Sequence, residues 1–110
     1  MLELFRTALY PALLFAGVVI AGPLLEEFLF RGFIFAGIEK SEAGPAGAVI
    51  ITSIVWSAIH FQYDLYARLV IFALGIAFGI ARWKSRSMLL TFVLHALVNL
   101  VAMIHISYLA

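Results

Sequence analysis

The stretch TALYPALLFAGVVIAGPLLEEFLFRGFIFAGI, residues 7–38, is apolar except for Glu26, Glu27 and Arg31. It is longer than the roughly 20 residues that a straight helix needs to cross the hydrocarbon layer of a membrane. Pro23 lacks an amide hydrogen, and its ring clashes with the preceding turn of a helix. We therefore predict one long membrane helix that is kinked near Pro23, rather than two half-crossings.

Three further apolar stretches, separated by short polar breaks, predict three more helices at about residues 46–61, 65–83 and 88–108. Gly75 and Gly79 stand four residues apart in the third helix, a spacing of small residues that permits close contact between membrane helices. The fold class that follows is all-α, an integral membrane bundle of about four transmembrane helices. We expect residues 1–110 to form a single transmembrane domain.

The composition supports a membrane location. Of the 110 residues, 65% are hydrophobic and 12% are charged, whereas soluble proteins carry about 45–50% apolar and about 25% charged residues. The chain has no cysteine, which leaves neither a disulfide framework nor a thiolate metal site. Its net charge of +1 gives no basic footprint for nucleic acid. The expected surroundings are a lipid bilayer, and no nucleic-acid partner is expected.

The most basic segment contains Arg82, Lys84 and Arg86, between the third and fourth predicted helices. Cytoplasmic loops of membrane proteins carry an excess of Lys and Arg. With four crossings, this rule predicts a cytoplasmic position for the basic loop and an outward position for both termini.

The hexapeptide EEFLFR, residues 26–31, holds three charges at membrane depth. An ionised side chain at the centre of a membrane helix costs roughly 2.5–3.5 kcal/mol on insertion scales, so it usually faces the bundle interior or a wet cavity. Glu27 and Arg31 are four residues apart and are predicted to pair, which also lets the helix insert without an unpaired charge. Glu26 is turned about 100° away from this pair. We therefore predict that Glu26 is the carboxylate left free for chemistry.

Two further polar motifs lie inside apolar sequence. WSAIH places Trp56 and His60 on one face of the second helix, and HALVN places His95 and Asn99 on one face of the last helix. Taken singly, each histidine is explained by a hydrogen bond to a backbone carbonyl or by polar contact between helices. A small bundle has little reason to bury two histidines, an amide and a surplus carboxylate unless they act together. We expect the motifs to converge on one pocket.

The three motifs in this order, EExxxR, an aromatic residue with histidine four positions later, and HxxxN, resemble the CAAX prenyl protease and bacteriocin-processing family of intramembrane glutamic endopeptidases. The matching segments are AGPLLEEFLFRG, VWSAIHF and LTFVLHALVNL, which span about residues 21–100. The resemblance implies a hydrolase that cleaves membrane-associated peptides or proteins without a metal cofactor. We expect its location to be a prokaryotic cell membrane.

The resemblance also implies residue roles. Glu26, helped by His60, would activate a water for attack on a peptide carbonyl, and His95 with Asn99 would stabilise the oxyanion. A carboxylate needs a low dielectric to be a strong enough base, and oxyanion donors are typically worth about 2.7–4 kcal/mol each. Supporting roles are expected for three more residues, Glu27, Arg31 and Trp56.

The sequence departs from the family pattern in two ways. Trp56 stands where the family usually has Phe, which would reshape the wall of the pocket. Family members also usually have additional transmembrane helices ahead of this core. The chain would therefore either enclose its own site or use a second copy or another membrane subunit to exclude lipid.

Two alternatives use the same residues. A zinc protease would take Glu26, His60 and His95 as ligands, because three nitrogen or oxygen ligands plus water form an ordinary catalytic zinc set. A non-enzymatic membrane protein, such as a bacteriocin self-immunity or scaffold factor or a proton relay, would also bury these groups. Asn99 separates the readings, because an oxyanion site uses an amide beside His95 and a proton relay does not.

Overall fold

The described part of the chain folds into five helices, which connect through short turns. The computed structural model describes residues 1–109 and contains no strand within that range. The helices are α1 (Leu2–Thr7), α2 (Pro11–Glu39), α3 (Gly44–Ile59), α4 (Leu65–Ser85) and α5 (Met88–Leu109). Each of the four long predicted helices is present within a few residues of its expected bounds, so the all-α prediction is confirmed.

Three of the helices, α2, α4 and α5, are long and apolar enough to cross a membrane, with 29, 21 and 22 residues. The fourth long helix, α3, is apolar but has only 16 residues. Large apolar side chains cover the outside of the bundle, whereas Thr52, Ser53 and Thr91 are fully buried. This arrangement of apolar groups outside and polar groups inside is that of an integral membrane bundle, in which lipid replaces water at the surface.

The long helix α2 is bent, as the sequence predicts, and the bend has a definite form. The segment Gly17–Ala21, just before Gly22 and Pro23, is a π-helical turn. The wider π turn gives room to the proline ring, which would clash with the carbonyl four residues earlier in a regular helix. A second π-helical segment, Phe28–Ile34, follows the two glutamates. It contains no proline, and the pattern of the sequence does not predict it.

The packing of α3 against α4 depends on Gly75 and Gly79, as their spacing predicts. A Cβ atom on Gly75 would lie 3.0 Å from Oγ of Ser53, and one on Gly79 would lie 3.0 Å from Cγ1 of Val49. Both glycines are buried, so their lack of a side chain lets the two backbones approach closely. This contact brings the middle of α4 next to the interior side chains of α2.

The ends of α4 are fixed locally. Asp64 precedes the helix, and its Oδ1 accepts a 2.8 Å hydrogen bond from the backbone N–H of Ala67, as expected of an N-terminal cap. At the other end Arg86 adopts φ 60°, in the left-handed region, and its guanidinium pairs with Glu39 at the end of α2. Only Arg86 and Ser87 separate α4 from α5, so these two helices are neighbours in an antiparallel hairpin.

We expect the Gly79→Leu variant to lose stability, because its new side chain would meet Val49 at the contact of α3 with α4. Overpacking of this kind typically costs about 1–3 kcal/mol in the free energy of unfolding. Thermal denaturation in detergent micelles, followed by circular dichroism, measures the loss. The matched control is Gly37→Leu, since a Cβ there has no neighbour within 4 Å. Equal stability of the two variants would contradict the packing described here.

Candidate active site

The two adjacent glutamates lie on the α-helical turn of α2 between its two π-helical segments. Successive residues of a helix point about 100° apart, so the two carboxylates have different surroundings. The side chain of Glu27 is fully buried, whereas that of Glu26 is 30% exposed. Glu26 lines a cavity between the helices, and Glu27 is not among the residues that line it.

Glu27 is the centre of a buried polar network. Its Oε2 accepts a hydrogen bond from Nη1 of Arg31 at 3.1 Å, which is the predicted pair, and also contacts Nδ1 of His95 at 2.8 Å. Arg31 is fully buried as well, and its Nη2 donates to the carbonyl of Gly75 at 3.2 Å. One carboxylate oxygen of α2 therefore connects with α4 through Arg31 and with α5 through His95.

The tautomer of His60 follows from its neighbours. Nδ1 of its ring lies 2.6 Å from the carbonyl of Trp56, one turn earlier in α3. A carbonyl only accepts hydrogen bonds, so Nδ1 carries the hydrogen and donates it. In the neutral ring Nε2 then holds a lone pair, and this atom lies 3.6 Å from Oε1 of Glu26.

His95 is oriented in the same way by a different acceptor. Its Nδ1–H donates to the carboxylate of Glu27, which Arg31 keeps paired. Nε2 of His95 lies 3.5 Å from the other oxygen of the free carboxylate, Oε2 of Glu26. Both histidines thus direct an accepting nitrogen at Glu26, which also only accepts when ionised. These three groups can form hydrogen bonds with one another only if they share a proton. Otherwise they need a further molecule that donates hydrogens to them.

Trp56 separates the two histidines. Its ring makes edge-on contacts with His60 and His95, with ring centroids 5.4 and 5.3 Å apart. The guanidinium of Arg31 lies 4.5 Å from the centroid of the same ring, a favourable cation–π distance. Phe78 of α4 packs against His95 from another side, with centroids 5.4 Å apart. These contacts leave each imidazole little freedom to rotate.

Asn99 lines the same cavity but has a partner in the backbone. Its Nδ2 donates to the carbonyl of Val18 on α2 at 2.9 Å. The amide nitrogen carries two hydrogens, so one hydrogen remains after this bond. The cavity has a volume of about 800 Å³ and is mainly apolar away from the polar cluster; its lining includes Val70, Leu74, Val98 and Met103.

The structure thus brings Glu26, His60 and His95 together directly and places Asn99 on the same cavity wall. Glu27 and Arg31 lie behind this group. Within residues 1–109, no group of three or more His, Cys, Asp or Glu side chains is arranged to hold a metal ion.

Two contacts of the site are absent from the sequence analysis: the Gly75 carbonyl that accepts from Arg31, and the ring of Phe78. The only sequence signal for the contact of Arg31 with the Gly75 carbonyl is the pair of glycines on α4. Their spacing predicts a close contact between helices but does not say which backbone group becomes accessible. Nothing in the sequence distinguishes Phe78 from the other phenylalanines of the chain.

Comparison with known families gives a match over most of the chain. A family model described as Rce1-like, type II CAAX prenyl endopeptidase, matches residues 8–101. This range covers most of the chain and includes every candidate site residue from Glu26 to Asn99, and it confirms the resemblance based on the three motifs. No curated protein and no solved structure matches the chain.

We expect Arg31→Met to be strongly destabilising, because it leaves the carboxylate of Glu27 buried without a counter-charge. Breaking a buried pair in this way costs about 3–5 kcal/mol in the free energy of unfolding. The double variant Glu27→Gln/Arg31→Met should recover much of the loss. Denaturation in detergent micelles measures both variants. Arg86→Met is the control, because removal of that exposed pairing should cost less than about 1 kcal/mol; equal losses for the two arginines would contradict the expectation.

Proposed function

The chain belongs to the Rce1-like family of type II CAAX prenyl endopeptidases, and on this basis we propose an intramembrane glutamic endopeptidase whose water is activated by Glu26 with His60. Family membership makes the chain a membrane protease, with peptides or proteins as substrates and lipid as surroundings. One observation carries the finer proposal. Nε2 of His60 and Nε2 of His95 converge on the two oxygens of Glu26, at 3.6 and 3.5 Å.

A water molecule suits this cluster, because it donates two hydrogens to groups that only accept. In the proposed first step Glu26 removes one proton from the water while Nε2 of His60 accepts a hydrogen bond from the other hydrogen. A lone pair of the water oxygen then forms a bond to the carbon of the scissile peptide. The π electrons of that carbonyl move onto its oxygen and give an oxyanion.

The proposed oxyanion donors are His95 and Asn99. Nε2 of His95 lies close enough to Glu26 to receive the proton taken from the water, which makes His95 an imidazolium and Nε2 a donor. Glu27 balances this charge through its bond to Nδ1. Asn99 adds the Nδ2 hydrogen that Val18 does not use. The oxyanion then re-forms the carbonyl while the C–N bond breaks, and the leaving nitrogen takes from Nε2 of His95 the proton that came from the water.

The lining and size of the cavity beside Glu26 suit an apolar segment of a substrate. Its lining away from the polar cluster is mainly aliphatic and aromatic, and its volume of about 800 Å³ is large enough for several side chains. We therefore propose that the substrate places apolar side chains among residues such as Val70 and Leu74, with the scissile bond beside Glu26.

We expect Glu26→Gln to stay folded and to lose cleavage, because the amide keeps the shape of the carboxylate but cannot accept the proton. General-base catalysis contributes about 100- to 10,000-fold to the rate, and kcat should fall by that factor. The assay follows hydrolysis of a library of quenched-fluorescent apolar peptides in detergent micelles. Glu42→Gln, an exposed glutamate between α2 and α3, is the control and should cleave like the parent chain. Full activity of Glu26→Gln would disprove the proposed mechanism.

We propose that the reaction needs no metal ion, since the steps above use only groups that accept and return a proton. Peptide cleavage should therefore continue after treatment with a strong chelator. Loss of activity that zinc restores, together with zinc in the purified protein, would instead support the zinc alternative with Glu26, His60 and His95 as ligands.

A further inference from the structure

The two π-helical segments of α2 lie on either side of the turn that carries Glu26 and Glu27. In a π turn each amide donates to the carbonyl five residues earlier, and in an α turn to the carbonyl four residues earlier. Where π-helical pairing changes to α-helical pairing, one carbonyl is passed over, that is, it receives no hydrogen bond from a backbone N–H. A buried carbonyl without a partner is costly, particularly where lipid surrounds the bundle.

The second segment passes over the carbonyl of Arg31. The backbone N–H of Phe35 donates to Phe30, five residues earlier, and α-helical pairing begins again at Phe35. The carbonyl of Arg31 accepts a hydrogen bond of 2.9 Å from Nε of Arg82 on α4. The guanidinium of Arg82 also lies 5.2 Å from the ring centroid of Phe35. Arg31 is therefore held both at its side chain and at its carbonyl.

The first segment has the same arrangement. The N–H of Gly22 donates to Gly17, and the next residue, Pro23, has no N–H to offer. The carbonyl of Val18 is passed over, and it accepts the bond from Asn99 on α5. Each π turn of α2 thus receives one side-chain hydrogen bond, from α4 in one case and from α5 in the other. Because the arrangement occurs twice, neither bond is well explained as a chance contact.

We propose that Arg82 is a positioning residue of the active site, which fixes the carbonyl of Arg31 and thereby the rotation at which α2 presents Glu27 to His95. A π turn contains one residue more than an α turn, and one residue of a helix corresponds to a rotation of about 100°. If the π turn changed to an α turn, the two parts of α2 on either side of it would therefore rotate relative to each other. The turn that carries Glu27 would then rotate relative to the part of α2 that follows Ile34. The orientation of His95 depends on Glu27, so the effect reaches the catalytic cluster.

Two substitutions separate the hydrogen bond from the charge. In Arg82→Gln the side-chain amide nitrogen stands the same number of bonds from Cα as Nε of arginine, so the donor is kept and the charge is lost. Arg82→Met has the same length and no donor. Lys84→Met is the control, because Lys84 is an exposed cation near the same end of α4. The inference predicts parent-like behaviour for Arg82→Gln and Lys84→Met and a defect for Arg82→Met.

The carbonyl can be observed directly. Arg31 and Gly32 form the only Arg-Gly pair in the chain, so carbonyl carbon-13 arginine with nitrogen-15 glycine gives a single NMR correlation, which reports on the Arg31 carbonyl. We expect its carbon signal to move upfield in Arg82→Met, as on loss of a hydrogen bond, and to stay in place in the other two variants. The ring nitrogen signals of His95, assigned by their loss in His95→Gln, should move only in Arg82→Met.

The activity arm rests on the proposed function, whereas the NMR arm does not. In the peptide assay kcat of Arg82→Met should fall by up to about 100-fold, with KM close to that of the parent. Moved signals in Arg82→Gln would overturn the inference, even if Arg82→Met did not fold, and so would unmoved signals in Arg82→Met. If the parent chain cleaves no peptide while the NMR shifts appear as expected, the proposed function fails and the positioning of Glu27 by Arg82 stands.

Discussion

A charge buried in a bundle that faces lipid has to bring its counter-charge and its hydrogen-bond partners with it, because hydrocarbon supplies neither. Glu27 and Arg31 supply each other's counter-charge on one helix, and both are fully buried. Further hydrogen bonds come from other helices. The Gly75 carbonyl of α4 and the His95 ring of α5 provide one each, whereas Oε1 of Glu27 and Nε of Arg31 have no partner among the described residues. One ion pair on α2 thus connects this helix with both α4 and α5.

The same pair explains how two adjacent carboxylates can differ in chemistry. Glu27 is occupied by Arg31 and His95, whereas Glu26 makes only the longer contacts with Nε2 of two histidines. Each histidine has its other nitrogen bound to an acceptor outside the cluster, a carbonyl for His60 and a carboxylate for His95. The acceptors behind the site therefore determine which atoms face Glu26.

Local patterns in the sequence predict much of this. Apolar length gives the helices, and the spacing of four residues gives the pairing of Glu27 with Arg31 and the close contact at Gly75 and Gly79. These are properties of a single helix or of a regular helix pair. The bonds from Asn99 to Val18 and from Arg82 to Arg31 belong to another class. They depend on π turns, which shift the backbone hydrogen bonds of α2 by one residue. No local preference of residues 28–34 predicts such a turn. The tautomers of the histidines also follow only from their partners in space.

The length of α3 has a consequence for the supply of water. Its 16 residues extend about 24 Å at 1.5 Å per residue, less than the roughly 30 Å of a typical hydrocarbon core. A bilayer thins locally beside a span that is too short for it. His60 comes directly after α3, and the polar residues Gln62, Tyr63 and Asp64 follow shortly afterwards. The shortness of α3 therefore favours a membrane surface close to the histidine that faces Glu26, which would shorten the path of water to the proposed site.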